Sequence, residues 1–270
     1  MGRISSVLVG AVVGVVAALA ATRWMLARQA AIARRRIGKP LGEQALDADR
    51  VWRKRLAGDP ADLLVLGDSI AAGLGADRPK ETLGARLAKD VARELGRPVR
   101  LRSAAVVGSE SSALEAQIAG LDDGYRPDVA VIIVGGNDVT HRVPTATSAE
   151  HLRHAIRQLR ARGAAVVVGT CPDLGALRAV PQPLRALAAQ QSRQLARAQE
   201  AVAVDEGAVP VSLRAAVGAV FSAQPDDMFS LDRFHPSALG YRRTAEALAP
   251  VVTDRIRASS SRHPQRPSDC

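Results

Sequence analysis

The chain has 270 residues and a mass of 28.4 kDa, which fits one ordinary-to-large domain with terminal appendages or two small domains. Hydrophobic residues make up 47% of the chain and charged residues 24%, which excludes an intrinsically disordered protein. Aromatic residues at 3% argue against a base-stacking platform for single-stranded nucleic acid, and two cysteines, Cys171 and Cys270, exclude a disulfide scaffold or a cysteine-rich zinc site.

The first segment of the chain, residues 1–22, is hydrophobic. Ile4 to Thr22 contains no charged residue, and its length is close to the roughly 20 residues that cross the hydrocarbon of a membrane. We therefore predict a transmembrane-like anchor helix in residues 1–22. A cleaved signal peptide with Ala18-Leu19-Ala20 as its cleavage site is the alternative, and it would place the mature protein in the cell envelope or outside the cell.

A basic collar, residues 23–58, follows the hydrophobic segment. Residues 23–55 hold ten basic and three acidic side chains, whereas residues 56–250 carry no net charge, although the whole chain has a net charge of +10. A neutral body argues against nucleic-acid binding, so we predict no nucleic-acid partner. The collar is suited to anionic lipid headgroups, and the positive-inside rule would keep the main domain on the cytoplasmic side, but the sequence leaves the side of the membrane open.

Short apolar runs and longer amphipathic runs alternate through the body of the chain. The pattern predicts strands over 63–66, 99–107, 129–134 and 164–168, a short last strand near 202–204 or 209, and helices over 82–95, 111–119, 151–162, 184–201 and 236–256. This alternation indicates an open parallel α/β sheet with helices on both faces, in one domain over residues 59–257. The Ser-, Pro- and Arg-rich tail, 258–270, is predicted to be disordered.

Chemistry-bearing residues fall at the ends of the predicted strands, where function gathers in such sheets. Ser69 follows the first strand and can present a hydroxyl nucleophile, which needs a base at neutral pH. His235 can be that base, and Asp232 can bond the Nδ1 side of its imidazole from three residues upstream. The backbone N–H groups of Ser69 and Gly108 and the side-chain amide of Asn137 are candidate donors to an oxyanion.

These residues resemble the SGNH (GDSL) hydrolase family. Gly67-Asp68-Ser69-Ile70 looks like its first block, Gly108 like the second-block glycine, Asn137 like the third-block asparagine, and Asp232 with His235 like the fifth-block pair. The resemblance implies a three-layer α/β/α flavodoxin-like fold, serine esterase or lipase-type acyl transfer, and no metal or cofactor. One position departs from the pattern: Ser103 stands where the second block usually carries an asparagine that helps to hold its loop.

Residues near these motifs have simpler interpretations. Asp68 and Asp138 are predicted to bond loop backbone rather than to take part in chemistry, and Cys171 is predicted to be a half-buried thiol near the cleft. The glycines of Gly73-Leu74-Gly75 are interpreted as room for substrate beside the nucleophile.

The leading functional hypothesis is a membrane-tethered serine carboxylesterase that hydrolyses short acyl or acetyl esters through an acyl-enzyme on Ser69. The alternatives with the same triad are a lysophospholipase or thioesterase, a sugar O-acyl transferase and a polysaccharide deacetylase. A membrane-tethered binding module with a relic site is the non-enzymatic alternative. The expected partners are a small ester or lipid substrate and the membrane.

Overall fold

The computed structural model describes residues 2–260, with side chains described for residues 14–259. In chain order the elements are α1 (Gly2–Ile37), β1 (Val51–Trp52), β2 (Ala61–Gly67), α2 (Ser69–Ala72), α3 (Leu83–Leu95), β3 (Val99–Ser103), α4 (Leu114–Ala119), β4 (Val129–Ile133), α5 (Gly136–His141), α6 (Thr145–Ala161), β5 (Ala165–Gly169), α7 (Leu184–Asp205), β6 (Val209–Val211), α8 (Leu213–Ala223), α9 (Pro225–Met228) and α10 (Ala238–Ser260).

The strands form one sheet in the order β1-β3-β2-β4-β5-β6. Neighbours from β3 to β6 are parallel, and β1 pairs antiparallel with β3 through Val51 opposite Arg100 and Trp52 opposite Val99. The predicted α/β fold with a mostly parallel sheet is confirmed. The antiparallel edge strand was not predicted, because two residues within a charged stretch carry no readable periodicity, and it lies inside the predicted collar 23–58.

Helices cover both faces of the sheet, so the domain has three layers. One core cluster joins α3, α8 and α10 to one face, and a second joins α4, α6 and α7 to the other. Every residue of β4 is buried, which explains why it appears in the sequence as a continuous apolar run rather than an alternating one.

The strand order reverses between β2 and β4, the position where ligands bind in open α/β sheets. The strand predicted over 99–107 extends beyond the carboxyl end of the observed strand β3. The Val106 N–H still donates to the Gly67 carbonyl, but the Ser109 N–H turns back to the Val106 carbonyl, and β3 ends at Ser103. The loop after β3 therefore leaves the sheet beside the end of β2.

Other boundaries differ from the predictions in ways that tertiary packing explains. Residues 202–204 are the last turns of α7, and the final strand is Val209–Val211. The predicted helix 151–162 begins earlier, at Thr145. The helices α8 and α9, which pack against each other and against α10, were not predicted.

The second half of α1 packs against the domain. The Gln29 side chain donates to the Gln182 carbonyl at 2.5 Å and accepts from the Leu184 N–H at 2.9 Å, and Ala33 is buried. Among the residues whose side chains are described, no helix is both long enough and apolar enough to span a membrane. Residues 1–13 of the predicted anchor lie outside the described side chains, and residues 261–270 of the predicted tail lie outside the described chain.

Candidate active site

The site begins where β2 turns sharply into α2. Gly67 has φ +132°, and a Cβ there would lie 1.8 Å from the Ile133 carbonyl oxygen, so this close approach of two strand ends requires glycine. The Asp68 side chain caps α2 by accepting the Ile70 N–H at 2.9 Å. This turn places Ser69 at the first position of the helix, at the carboxyl edge of the sheet.

Ser69, His235 and Asp232 form one hydrogen-bonded line. His235 Nε2 lies 2.9 Å from Ser69 Oγ, and His235 Nδ1 lies 2.5 Å from Asp232 Oδ2. The other oxygen, Asp232 Oδ1, accepts the backbone N–H groups of Phe234 and His235, each at 3.0 Å. The structure thus brings Ser69 to the Asp232–His235 pair, although Ser69 and His235 are 166 positions apart in the sequence.

The environment of Asp232 favours its charged form. Burial opposes ionisation, but the hydrogen bond with the His235 ring and the two backbone N–H donors outweigh it and hold the pKa of Asp232 below its ordinary value. A charged Asp232 fixes the proton of neutral His235 on Nδ1, and this leaves Nε2 free to accept a proton from Ser69.

The three predicted oxyanion donors lie on the elements that follow three neighbouring strands: Ser69 begins α2 after β2, Gly108 is in the loop after β3, and Asn137 is in α5 after β4. Asn137 Nδ2 donates to the Ser109 carbonyl at 2.9 Å, which joins the first turn of α5 to the loop after β3. Gly108 has φ +84°, and a Cβ there would meet nothing within 4 Å, so the backbone conformation rather than space demands glycine. Within residues 2–260 no acceptor binds the backbone N–H of Ser69 or Gly108, so both donors are free for a substrate.

Asp68 bonds the backbone of its own turn, as predicted, whereas the Asp138 side chain reaches beyond its turn to a distant backbone N–H and to a side-chain hydroxyl on α6. Asp138 is buried and accepts the Ser111 N–H at 3.1 Å and the Ser148 hydroxyl at 2.6 Å. Burial raises the pKa of Asp68 to about 6, although the Ile70 N–H works in the opposite direction. Both carboxyl groups therefore serve to hold the turns that carry Ser69 and Asn137.

The interpretation of Gly73 and Gly75 as room for substrate is wrong. A Cβ on Gly73 would lie 2.5 Å from Thr82 Cβ, and a Cβ on Gly75 would lie 2.6 Å from the Pro236 carbonyl oxygen. Both glycines make room for the protein's own chain. At Gly75 this lets the segment after α2 pack directly against the turn that carries His235.

A small apolar cavity beside the triad was not predicted. It has a volume of about 60 Å³, and its walls include Ile70, Leu177, Val217, Phe221, Phe234 and Pro236. Ile70 and Phe234 are chain neighbours of Ser69 and His235, so the cavity begins next to this hydrogen-bonded pair. No local pattern in the sequence indicates this cavity, because most of its wall comes from α8 and from the segment after β5, which approach the site only in the folded chain.

Cys171 is fully buried rather than half-buried, and burial raises the pKa of its thiol well above the ordinary value. A thiol in this state is unreactive. Among the described residues no three His, Cys, Asp or Glu side chains are grouped so that they could hold a metal ion.

Comparisons with known proteins point to one family. The family described as GDSL-like Lipase/Acylhydrolase matches residues 65–243. The GDSL-like esterase Rv1075c of Mycobacterium tuberculosis is 42% identical over 221 residues, which cover 80% of this chain and 70% of that protein. Esterase TesA of Pseudomonas aeruginosa is 30% identical over 195 residues, 70% of this chain and 87% of that protein.

The fold also resembles solved structures. The crystal structure of the lipase/acylhydrolase from Enterococcus faecalis aligns with a TM-score of 0.57 at 22% identity, over 72% of this chain and 96% of that one. The crystal structure of TesA aligns with the same TM-score at 26% identity, over 72% of this chain and 99% of that one.

Proposed function

The chain belongs to the GDSL-like lipase/acylhydrolase family and is an ester hydrolase, and on this premise we propose that it is a serine carboxylesterase acting on short acyl or acetyl esters. The observation that carries the proposal is the continuous hydrogen-bonded line from Asp232 through His235 to the Ser69 hydroxyl. The same line is what a nucleophilic serine requires, because the hydroxyl is a weak nucleophile until a base removes its proton.

The reaction follows from this geometry. Ser69 Oγ attacks the ester carbonyl carbon while His235 Nε2 takes the hydroxyl proton, and Asp232 stabilises the imidazolium that forms. The carbonyl oxygen becomes an oxyanion that the N–H groups of Ser69 and Gly108 and the Asn137 amide receive. The bond to the alcohol oxygen then breaks, and the alcohol leaves with the proton from His235. Water attacks the acyl-enzyme with His235 again as base, and this releases the acid and restores Ser69.

The size of the apolar cavity supports a short acyl group. About 60 Å³ is room for only a few heavy atoms, since one water already needs about 10–15 Å³ measured in this way. Most of the wall side chains are apolar, with Asp173 and Thr244 as the polar exceptions, and Asp173 is already paired with Arg214. Such walls suit a methyl or a short alkyl chain. We place the acyl group of the substrate here, next to Ile70 and Phe234.

The test of the nucleophile is the turnover of p-nitrophenyl butyrate by the full chain and by Ser69→Ala. We expect the variant to lose hydrolysis, and we expect Ser222→Ala, a matched exchange at an exposed position on α8, to keep the wild-type rate. Undiminished turnover by purified Ser69→Ala would defeat the proposal.

Esters of graded chain length separate the proposal from its alternatives. A carboxylesterase with this cavity should hydrolyse both acetyl and butyryl esters faster than dodecanoyl esters. A preference for long acyl chains or thioesters would assign the site to lysophospholipase or thioesterase action, and product in which the acyl group passes to an added sugar would assign it to acyl transfer.

We also propose that residues 1–22 anchor the protein to a membrane, with the collar 23–58 against anionic headgroups. The uncharged run from Ile4 to Thr22 and the ten basic residues after it support this proposal. The full chain should remain in the membrane fraction after a carbonate wash, whereas a chain lacking residues 1–22 should be released. A full chain found in the soluble fraction, or one cleaved after Ala20, would contradict the anchor.

A further inference from the structure

A buried glutamine side chain lies directly behind the proposed oxyanion hole. Gln117 is 7% exposed and belongs to α4, a short helix held in place by Leu114 and Ile118, both of which pack in the core. Its amide reaches the end of β2, 50 residues away in sequence. No motif in the sequence singles out this residue.

All the hydrogen-bonding groups of the Gln117 amide are used. Its Oε1 accepts the Gly67 N–H at 2.9 Å, and its Nε2 donates to the Gly67 carbonyl at 2.8 Å and to Ser109 Oγ at 3.3 Å. These partners fix the orientation of the amide, since the reverse orientation would set its NH₂ group against the Gly67 N–H. The side chain therefore behaves like a neighbouring strand at Gly67, the last residue of β2, which lies beyond the end of β3 and whose carbonyl also accepts the Val106 N–H.

The position of Gln117 links two parts of the site. Gly67 lies two residues before Ser69, and Ser109 follows Gly108 and accepts the Asn137 amide on its carbonyl at 2.9 Å. One side chain thus links the strand end that leads into the nucleophile to the loop that carries Gly108. Ser103, the last residue of β3 before this loop, stands where the family pattern has an asparagine that helps to hold the loop.

We propose that Gln117 is a positioning residue that holds the Gly108–Ser109 backbone and, through Ser109, the Asn137 amide in the geometry that receives the oxyanion. The inference rests on the proposed catalytic role of Ser69 and deepens it. Gln117 touches no substrate atom. Its effect is on the transition state, where a misplacement of about 1 Å can cost about 10²-fold in rate.

The main test replaces Gln117 by methionine, which is unbranched and similar in length but cannot make these hydrogen bonds. With p-nitrophenyl butyrate we expect kcat to fall about 10- to 100-fold and KM to change less than threefold. A trifluoromethyl ketone, which forms a tetrahedral adduct with an oxyanion, should lose affinity by the same factor as kcat/KM. The concentration of active sites is measured by titration with a fluorophosphonate, and kcat is calculated per active site. Unfolded protein therefore does not lower the measured kcat.

Val252→Ala is the matched control for a loss of stability. Val252 is fully buried in α10, about 21 Å along the helix from its start near the triad. We expect this variant to unfold at a lower temperature with kcat unchanged. Ser109→Ala removes only the hydroxyl that accepts from Gln117 Nε2, and it should lower kcat by about two- to fivefold. This variant replaces Gln117→Met as the test if Gln117→Met does not fold.

A folded Gln117→Met enzyme with kcat and ketone affinity within twofold of wild type would overturn the inference, and so would an unchanged kcat in Ser109→Ala if Gln117→Met cannot be obtained. Either result would leave the proposed function standing as long as Ser69→Ala is inactive. Activity in Ser69→Ala would instead defeat the proposed function itself.

Discussion

Replacement of Asp232 by asparagine tests the orienting carboxylate with little disturbance of the fold. Asn Oδ1 can still accept the two backbone N–H groups that Asp232 Oδ1 now accepts at 3.0 Å. The hydrogen bond with His235 would reverse its direction, because an NH₂ donor would face His235 Nδ1 in place of the carboxylate oxygen that now lies 2.5 Å from it. Nδ1 must then accept, and the ring proton moves to Nε2, the atom that should take the proton of Ser69.

The expected loss of kcat is large because the substitution reverses the tautomer of His235, rather than only weakening one contact. An amide in place of the orienting carboxylate typically costs about 10⁴-fold in kcat, which corresponds to about 5 kcal/mol of barrier. KM should change little, because Asp232 is buried behind His235 and does not face the substrate.

The assay is the steady-state hydrolysis of p-nitrophenyl butyrate, with thermal unfolding to show that the variant is folded. Asp123→Asn is the matched control, since Asp123 is exposed in the loop that leads into the amino end of β4, at the edge of the sheet opposite the triad. The control should keep the wild-type kcat. A folded Asp232→Asn enzyme within tenfold of wild type would refute the assignment of Asp232.

Three further predictions address the oxyanion hole, the buried carboxyl group and the cavity. Asn137→Ala should lower kcat about 10²- to 10³-fold with KM nearly unchanged in the same assay, and a loss below threefold would contradict its proposed donor role. Because burial raises the pKa of Asp68 from 3.8 to about 6, the folded state binds the proton more tightly than the unfolded chain, and stability falls as the pH rises through that window. Asp68→Asn has no such titrating group, so its free energy of unfolding relative to wild type should increase by up to about 3 kcal/mol between pH 4 and pH 7, as measured by thermal scans. A difference between the two proteins that does not depend on pH would contradict the raised pKa of Asp68. Val217→Phe should fill part of the cavity and lower kcat/KM for butyrate esters more than for acetate esters, whereas an equal loss for both would place the acyl group elsewhere.

The central strands could be predicted because burial on both faces leaves a direct mark on the sequence. β2 and β4 consist almost wholly of buried residues, and unbroken apolar runs mark residues 63–66 of β2 and the whole of β4. β1 could not be predicted, because its two residues depend on pairing with β3 rather than on any local pattern. The end of β3 was also misplaced, because Val106 and Val107 continue the apolar run into a turn.

The features of the candidate site also divide into those that the sequence predicts and those that depend on the folded chain. Ser69, Asp232, His235 and Asn137 were found because each is a chemistry-bearing residue type beside a turn signal at a strand or helix end. Gln117 was missed, because its partners are backbone groups, and a side-chain-to-backbone bond over 50 residues requires nothing of the sequence at its far end. The apolar cavity was missed for a related reason, since its walls are separate segments that meet only after folding.

The central claim is that Ser69 carries the acyl group during turnover. The most direct measurement is mass spectrometry of peptides from the active full-length enzyme inactivated by a fluorophosphonate, beside the His235→Ala variant treated in the same way. We predict one phosphonyl adduct on the peptide that contains Ser69 in the wild type, and greatly slowed labelling in His235→Ala. An adduct on another residue that accounts for the lost activity, or full inactivation with Ser69 unmodified, would contradict the account.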